Sequence, residues 1–342
     1  MTLATTAIAL FFVCVVTLAA TRVYIGYARR RQILDIPSHR SSHTVPTPRG
    51  GGVAIASVVL LALVVMDVLG ILTAAQTAAM AGGGALVAFV GWMDDRGDVS
   101  VRSRSAVHVV AAIFAVRLLG GFSSIDLGLI SIPLGPLGPV LAVLFIVWMT
   151  NLYNFMDGID GIAAGEAAVV GGAASLVLAS AGAAGLAAIA ALTSAACLGF
   201  LVWNWQPAKI FMGDTSSGLL GFLFGALAVG SENAHAVPIV SWVMMLGVFT
   251  FDATVTLVRR VRHGERWYEA HRSHAYQRMT QSGWSHARTT SAALLTTLVL
   301  AGLAWYAQQA PRRLPAALVA GSVILCVLYV LVERRAPFRG NH

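Results

Sequence analysis

Asn151-Leu152-Tyr153-Asn154-Phe155-Met156-Asp157-Gly158-Ile159-Asp160-Gly161 is the stretch that decides how this chain is read. An apolar run, Val140 to Thr150, leads into it, and another, Ile162 to Ala190, leaves it. Two carboxylates and two carboxamides therefore stand where one spanning helix ends and the next begins. An aspartate at the centre of a spanning helix costs about 2.5–3.5 kcal/mol on the insertion scale. Polar groups held this close to hydrocarbon point to function. The plain alternative is a solvated turn, with Asn and Gly as turn formers.

Outward from this stretch the composition is that of a membrane protein. The 342 residues are 57% hydrophobic and 11% charged, against about 25% charged in soluble domains. Eleven apolar runs approach the roughly 20 residues that span a bilayer. They lie near 3–25, 50–70, 71–92, 105–121, 136–152, 161–181, 183–203, 215–231, 236–257, 289–308 and 314–332. The expected fold is all-α, a polytopic helical bundle of about eleven transmembrane helices forming a single domain over 1–342. The first run lacks a basic lead and a small-residue cleavage site, so it is expected to stay as a helix and not serve as a signal peptide. Gly171, Gly172 and Gly182 suit close helix packing in lipid. Cys14, Cys197 and Cys326 all fall in apolar runs and read as buried small hydrophobes, with neither disulfide nor metal spacing.

Basic residues orient the chain. With the N-terminus outside and the C-terminus inside, the inner segments 22–49, 92–104, 151–160, 203–214, 258–288 and 333–342 hold 20 of the 23 Lys and Arg residues. The loops near 26–49, 92–104, 151–160, 203–214 and 258–288 are therefore expected to face the cytoplasm. The net charge of +8 sits in these loops, which favours membrane lipids and phosphorylated substrates as partners, and no nucleic acid. On the outer side, residues 125–132 read either as a short hairpin or as an irregular loop.

The inner loops carry the chemistry. Pro46-Thr47-Pro48-Arg49-Gly50-Gly51 precedes a helix, where main-chain N–H groups and the Arg49 fork suit a phosphate. Asp94 and Asp95 end another run, and either bind a divalent cation or move a proton. Asp98 reads as a cap. Asp157 and Asp160 are three apart, as are Asn151 and Asn154. Asp214, in Phe211-Met212-Gly213-Asp214-Thr215, precedes a helix, as a cap, a metal ligand or both. His271-Arg272-Ser273-His274 offers donors to a diphosphate. Together these indicate metal-assisted phosphoryl transfer to a lipidic acceptor at the inner membrane surface. A transporter would place such groups near the midplane, often with repeated halves; here the acids lie at one face and no repeat is seen.

In order and in kind, these motifs resemble the polyprenyl-phosphate N-acetylhexosamine-1-phosphate transferases, over residues 37 to 278. The resemblance implies a UDP-N-acetylhexosamine donor (GlcNAc, FucNAc or similar), undecaprenyl phosphate as acceptor, Mg²⁺ or in its place Mn²⁺, and release of UMP. It implies that Asp94 and Asp95 lie near the lipid phosphate and activate it, and that Asn154 and Asp214 hold the metal. It also implies that Asp157 and Asp160 line the nucleotide site, with Asp157 among the catalytic residues, while Arg49, Asn151, Arg104, His271, Arg272 and His274 bind substrate. A homodimer is allowed by analogy. Where the peptidoglycan branch carries a run of histidines, this chain has His271-Arg272-Ser273-His274-Ala275-Tyr276. That departure favours the O-antigen-initiating branch over a muramoyl-pentapeptide donor. Arg102 and Arg104 stand where relatives often place a lysine.

Overall fold

In hydrocarbon each backbone polar group must find its partner within the segment, so apolar runs become helices. The computed structural model describes residues 3–37, 45–97, 99–265 and 271–338. Its helices are α1 (Leu3–Arg30), α2 (Gly52–Val68), α3 (Ala74–Thr77), α4 (Gly83–Asp94), α5 (Val101–Leu119), α6 (Leu137–Phe155) and α7 (Ile162–Ser180). There follow α8 (Ala184–Asn204), α9 (Asp214–Asn233), α10 (Ile239–Met245), α11 (Gly247–Arg262), α12 (Ala275–Gln281), α13 (His286–Gln308) and α14 (Leu314–Arg335). A π-turn, Ala78–Gly82, joins α3 to α4. The protein is an all-α, multi-pass membrane protein.

Each of the eleven apolar runs carries helix. Among the described residues, seven helices are long and apolar enough to cross a membrane unaided, or eight if a bent pair counts as one span. Helix α2 is shorter. Helix α5 carries Arg102, Arg104 and Arg117, which lowers its apolarity.

The run at 236–257, expected as one straight span, is instead α10 and α11 joined at 85°. Leu246 leaves helical geometry with ψ of 15°. Helix α11 buries Phe249, Ala253 and Thr256 but carries Arg259, Arg260 and Arg262 in its last turn, so it cannot continue straight through hydrocarbon.

Helix α9 is buried along nearly its whole length, between α4 and α6. Small residues let α7 and α8 close up: a Cβ on Gly171 would lie 2.8 Å from the Ala190 carbonyl oxygen. Gly182 forms the turn between those helices instead of packing them. Cys197 is buried, Cys14 is half-buried, and Cys326 is exposed on α14, contrary to the expected burial of all three. Residues 124–133 form the hairpin β3 (Ser124–Asp126) and β4 (Ser131–Pro133), antiparallel with Ile125 opposite Ile132. Glu232, at the end of α9, holds that hairpin by accepting the Asp126 N–H at 3.0 Å. At the opposite end of α9 the strands β1 (Leu34–Asp35) and β2 (Thr47–Pro48) pair, with Asp35 opposite Thr47.

Candidate active site

The end of the bundle where α9 begins is also where α4 and α6 stop. Helix ends leave unpaired backbone groups, and here side chains answer them across elements. Asp95, just past α4, accepts the Asp214 N–H at 2.9 Å, the Thr215 N–H at 3.1 Å and the Thr215 hydroxyl at 2.6 Å. It therefore caps α9 from a distance, a role the sequence suggested for Asp214. Gly213 makes this approach possible: its φ is +76°, and a Cβ there would lie 2.3 Å from an Asp95 oxygen. Asp98 lies outside the described residues; the cap of α5 is Ser100, which accepts the Ser103 N–H.

Around this junction lies a cavity of about 380 Å³. Asp94, Asp95, Asp157, Asp160 and Asp214 all line it, with Asn154, Arg49, His271 and Arg272. The expected loops thus converge. Residues 49–52 are fixed by main-chain bonds to the segment before α9, Gly51 N–H to Phe211 O at 2.9 Å and Gly52 N–H to Met212 O at 2.8 Å. Arg49 does not reach out as a free fork. It donates Nε–H to the Asp95 carbonyl at 2.9 Å and Nη2–H to the Asp94 carbonyl at 3.1 Å.

The carboxylates differ in what they touch. Asp94 accepts the Val99 N–H at 2.9 Å and Arg104 at 2.6 Å. Arg104, from α5, also donates to Asp214 at 2.5 Å, so one guanidinium bridges two acids. Asp160 accepts the Ala208 N–H at 3.0 Å and stands 3.2 Å from His286 Nδ1, tying three elements together. The Asp157 carboxyl has no hydrogen-bond partner among the described residues, while its N–H donates to the Asn154 carbonyl at 3.2 Å. Burial first, then the charges of Asp214, Asp95 and Asp160, push its carboxyl up to about 7. Asp95 is also pushed up by burial, against its three donors. On the last turn of α6, Asn154 donates from Nδ2 to Ser217 Oγ at 2.9 Å, which leaves its amide oxygen as an acceptor.

Two expected residues are elsewhere. Asn151, one turn before Asn154, donates to the Val147 carbonyl at 2.7 Å and meets His108 of α5, outside the cavity. His274 is buried at the head of α12, with Nδ1 3.5 Å from Asp252. Asp252 caps α12 as Asp95 caps α9, accepting the Ala275 N–H at 2.8 Å and the Tyr276 N–H at 3.2 Å. His271 remains in the cavity, and burial followed by the nearby charges of His274 and Arg260 lowers it to about 3, so its imidazole is neutral. Its Nδ1 faces the Ser273 N–H at 3.4 Å, so Nε2 carries the proton.

The sequence reading missed Asp35, Asn204, Gln277 and His286, which also line the cavity. Asn204 accepts the Gly161 N–H at 3.1 Å and donates to the Ile210 carbonyl at 2.9 Å, joining the two acidic loops. A polar residue at the foot of an otherwise apolar run was the signal for Asn204 and for His286.

Comparison with known proteins gives the family. A family model described as Glycosyl transferase family 4 matches residues 77–232. A probable undecaprenyl-phosphate N-acetylglucosaminyl 1-phosphate transferase of Bacillus subtilis (strain 168) is 30% identical over 257 residues, covering 74% of this chain and 71% of that protein. The chain belongs to glycosyl transferase family 4. The matched span holds five of the cavity's six carboxylates, while Asp35, Arg49, His271 and Arg272 lie outside it. Another relative, a decaprenyl-phosphate N-acetylglucosaminephosphotransferase of Mycolicibacterium smegmatis, is 30% identical over 74% of this chain and 70% of its own. A phospho-N-acetylmuramoyl-pentapeptide-transferase of Nostoc punctiforme is 29% identical over 63% and 64%.

Proposed function

We propose that this protein transfers N-acetylhexosamine 1-phosphate from a UDP-N-acetylhexosamine to undecaprenyl phosphate. The products would be UMP and a lipid-linked diphospho-sugar that primes O-antigen or another cell-envelope polysaccharide. One observation carries the reading: six carboxylates, the five expected ones and Asp35, with Arg49, Arg104 and Arg272 beside them, converge on one cavity at the end of a membrane bundle. The names of the relatives support a polyprenyl phosphate acceptor and make GlcNAc the first sugar to test. The excess of basic residues on the loops of this end supports a cytoplasmic site in the inner membrane.

The donor set fits Mg²⁺ or Mn²⁺. It offers carboxylate and carboxamide oxygens, and Asp157 has no protein donor to displace. No closed cage of three or more His, Cys, Asp or Glu side chains exists among the described residues. A hard cation of this kind needs only one or two protein carboxylates, beside waters and substrate phosphates. Asp214 and Asn154 would hold it, with Asp157 adjoining. Bound there, the ion supplies charge neutralisation at the diphosphate. An acceptor phosphate oxygen forms a P–O bond to the sugar-linked phosphorus, the P–O bond to UMP breaks, and its electron pair leaves with UMP. Asp95 is spent on α9 and Asp94 on Arg104 and Val99, so Asp157 is the residue to receive the acceptor's proton. Arg272 and the neutral His271 face the donor.

A muramoyl-pentapeptide donor is the second reading, favoured by the Nostoc relative. A donor panel separates the two. Purified protein, Mg²⁺ and undecaprenyl phosphate would receive several UDP-N-acetylhexosamines and UDP-muramoyl-pentapeptide in turn, with Asp214→Asn as control. UMP and lipid product from one hexosamine, lost in the variant, is the expected result. Product from the pentapeptide donor alone would overturn the hexosamine reading, and no product from any donor would overturn the transferase reading.

A further inference from the structure

Helix α12 separates two cavities. It presents Gln277 to the carboxylate cavity and Ala275, Tyr276 and Met279 to a second, of about 330 Å³, walled also by α11, α13 and α14. The two share no lining residue. The second is a groove of Phe251, Met279, Leu325, Leu328, Tyr329 and Val332. Leu328 is exposed, so the groove opens on the face that a bilayer covers. Its volume is that of a small-molecule site.

The groove is not wholly apolar. Thr289, only 5% exposed, lines it with a hydroxyl that has no partner among the described residues, and the Trp284 indole N–H beside it has none there either. Buried polar groups left unpaired are rare and call for a partner. At the mouth, the guanidinium of Arg335 lies 5.8 Å from the Trp284 ring centre, and that of Arg288 lies 4.1 Å from it. Neither pairs with a carboxylate among the described residues. Arg259 and Arg278, at the same end, share Glu333. Asp252 also lines the groove, but its oxygens accept Ala275, Tyr276 and Thr256. An apolar trough thus ends in unpaired cations and two unpaired hydrogen-bonding groups.

We infer that this groove binds an anionic glycerophospholipid, one acyl chain along the trough and the phosphate at Arg335, with Trp284 and Thr289 donating to head-group oxygens. Charge complementarity selects an anionic head over a zwitterionic one. The polyprenyl phosphate acceptor is not the occupant, because α12 would then stand between its phosphate and the carboxylates. Tyr276 also links the two sides: its hydroxyl donates to the Phe155 carbonyl at 3.2 Å. A filled groove therefore braces the short helix that carries Gln277 into the carboxylate cavity.

The test is fluorescence quenching in delipidated, full-length protein in detergent. Phosphatidylglycerol with brominated acyl chains would be titrated into the wild type, Trp284→Phe and Arg335→Gln, and the difference between the first two isolates Trp284. Saturable quenching of Trp284 is expected, half-complete at lower concentration than with brominated phosphatidylcholine. Arg335→Gln is expected to weaken it about fivefold, the worth of one arginine at an anionic surface. Equal quenching by both lipids, unmoved by Arg335→Gln, would reduce the groove to plain hydrocarbon contact and overturn the proposal. Displacement of the brominated lipid by stoichiometric undecaprenyl phosphate would assign the groove to the acceptor and overturn it too, as would no quenching above the Trp284→Phe baseline.

Discussion

The junction of α4 with α9 and the turn between α6 and α7 each place a carboxylate on the same cavity, and they use it in opposite ways. At the junction Asp95 spends both oxygens on three protein donors. At the turn Asp157 spends neither, and its acidity is lowered by burial and by its neighbours. Asp252 repeats the first pattern at the head of α12. In a site crowded with acids, the number of protein donors on each oxygen separates the acids that build the site from the one left for substrate.

This contrast can be broken most forcefully at Asp95. Asp95→Ala strips the acceptor from two N–H groups and a hydroxyl, and is expected to cost about 2–4 kcal/mol, since each buried group left unpaired costs about 1–3. A melting curve in detergent reads it, and an unchanged melting temperature would deny Asp95 its building role. Gly213→Ala attacks the same contact from the other side, with a Cβ 2.3 Å from an Asp95 oxygen and a backbone conformation that only glycine adopts freely. About 1–3 kcal/mol is expected there.

Asp157→Asn should act the other way. The folded Asp157 holds its proton up to about pH 7, whereas an unfolded aspartate releases it near 3.8. The stability from the protonated form is complete below the lower value and is lost as pH rises through the upper one. In metal-free protein, Asp157→Asn is therefore expected to melt above the wild type at about pH 8, with the difference vanishing near pH 4. A constant difference across that window would contradict the raised pKa. The smallest effect belongs to Asn151→Ala. Asn151 lies outside the cavity, so UMP release is expected to stay within about threefold of wild type, the size of an ordinary surface change. A larger loss would return Asn151 to the substrate.

Much of this was legible before the structure. The apolar runs dictated the helices, and the acids at their ends dictated a common face, because polar groups in a bilayer are confined to helix ends. The bend at Leu246 was not legible, since the run from 236 to 257 holds a single charged residue, Asp252, and is apolar enough to pass as one span. Nor was the division of labour among the aspartates. Asp95 caps a helix 119 residues away, and no local spacing signals a cap supplied from another element. His271 and His274 look equivalent in sequence and their ring centres lie 4.7 Å apart, yet one lines the cavity and the other is buried against Asp252 at the head of α12. Asn204 and His286 were visible only as polar residues at the foot of apolar runs.

The central claim is that Asp157 is the carboxylate available to substrate, and single-turnover UMP release by Asp157→Asn tests it most directly. The reaction would run with saturating donor, undecaprenyl phosphate and Mg²⁺, beside a melting curve of the same sample. The expected result is a fall of about 10³-fold, within the range for loss of a general base, in protein that melts no lower than wild type. Release within about tenfold of wild type, below that range, would contradict the claim and return the proton to Asp94 or Asp95.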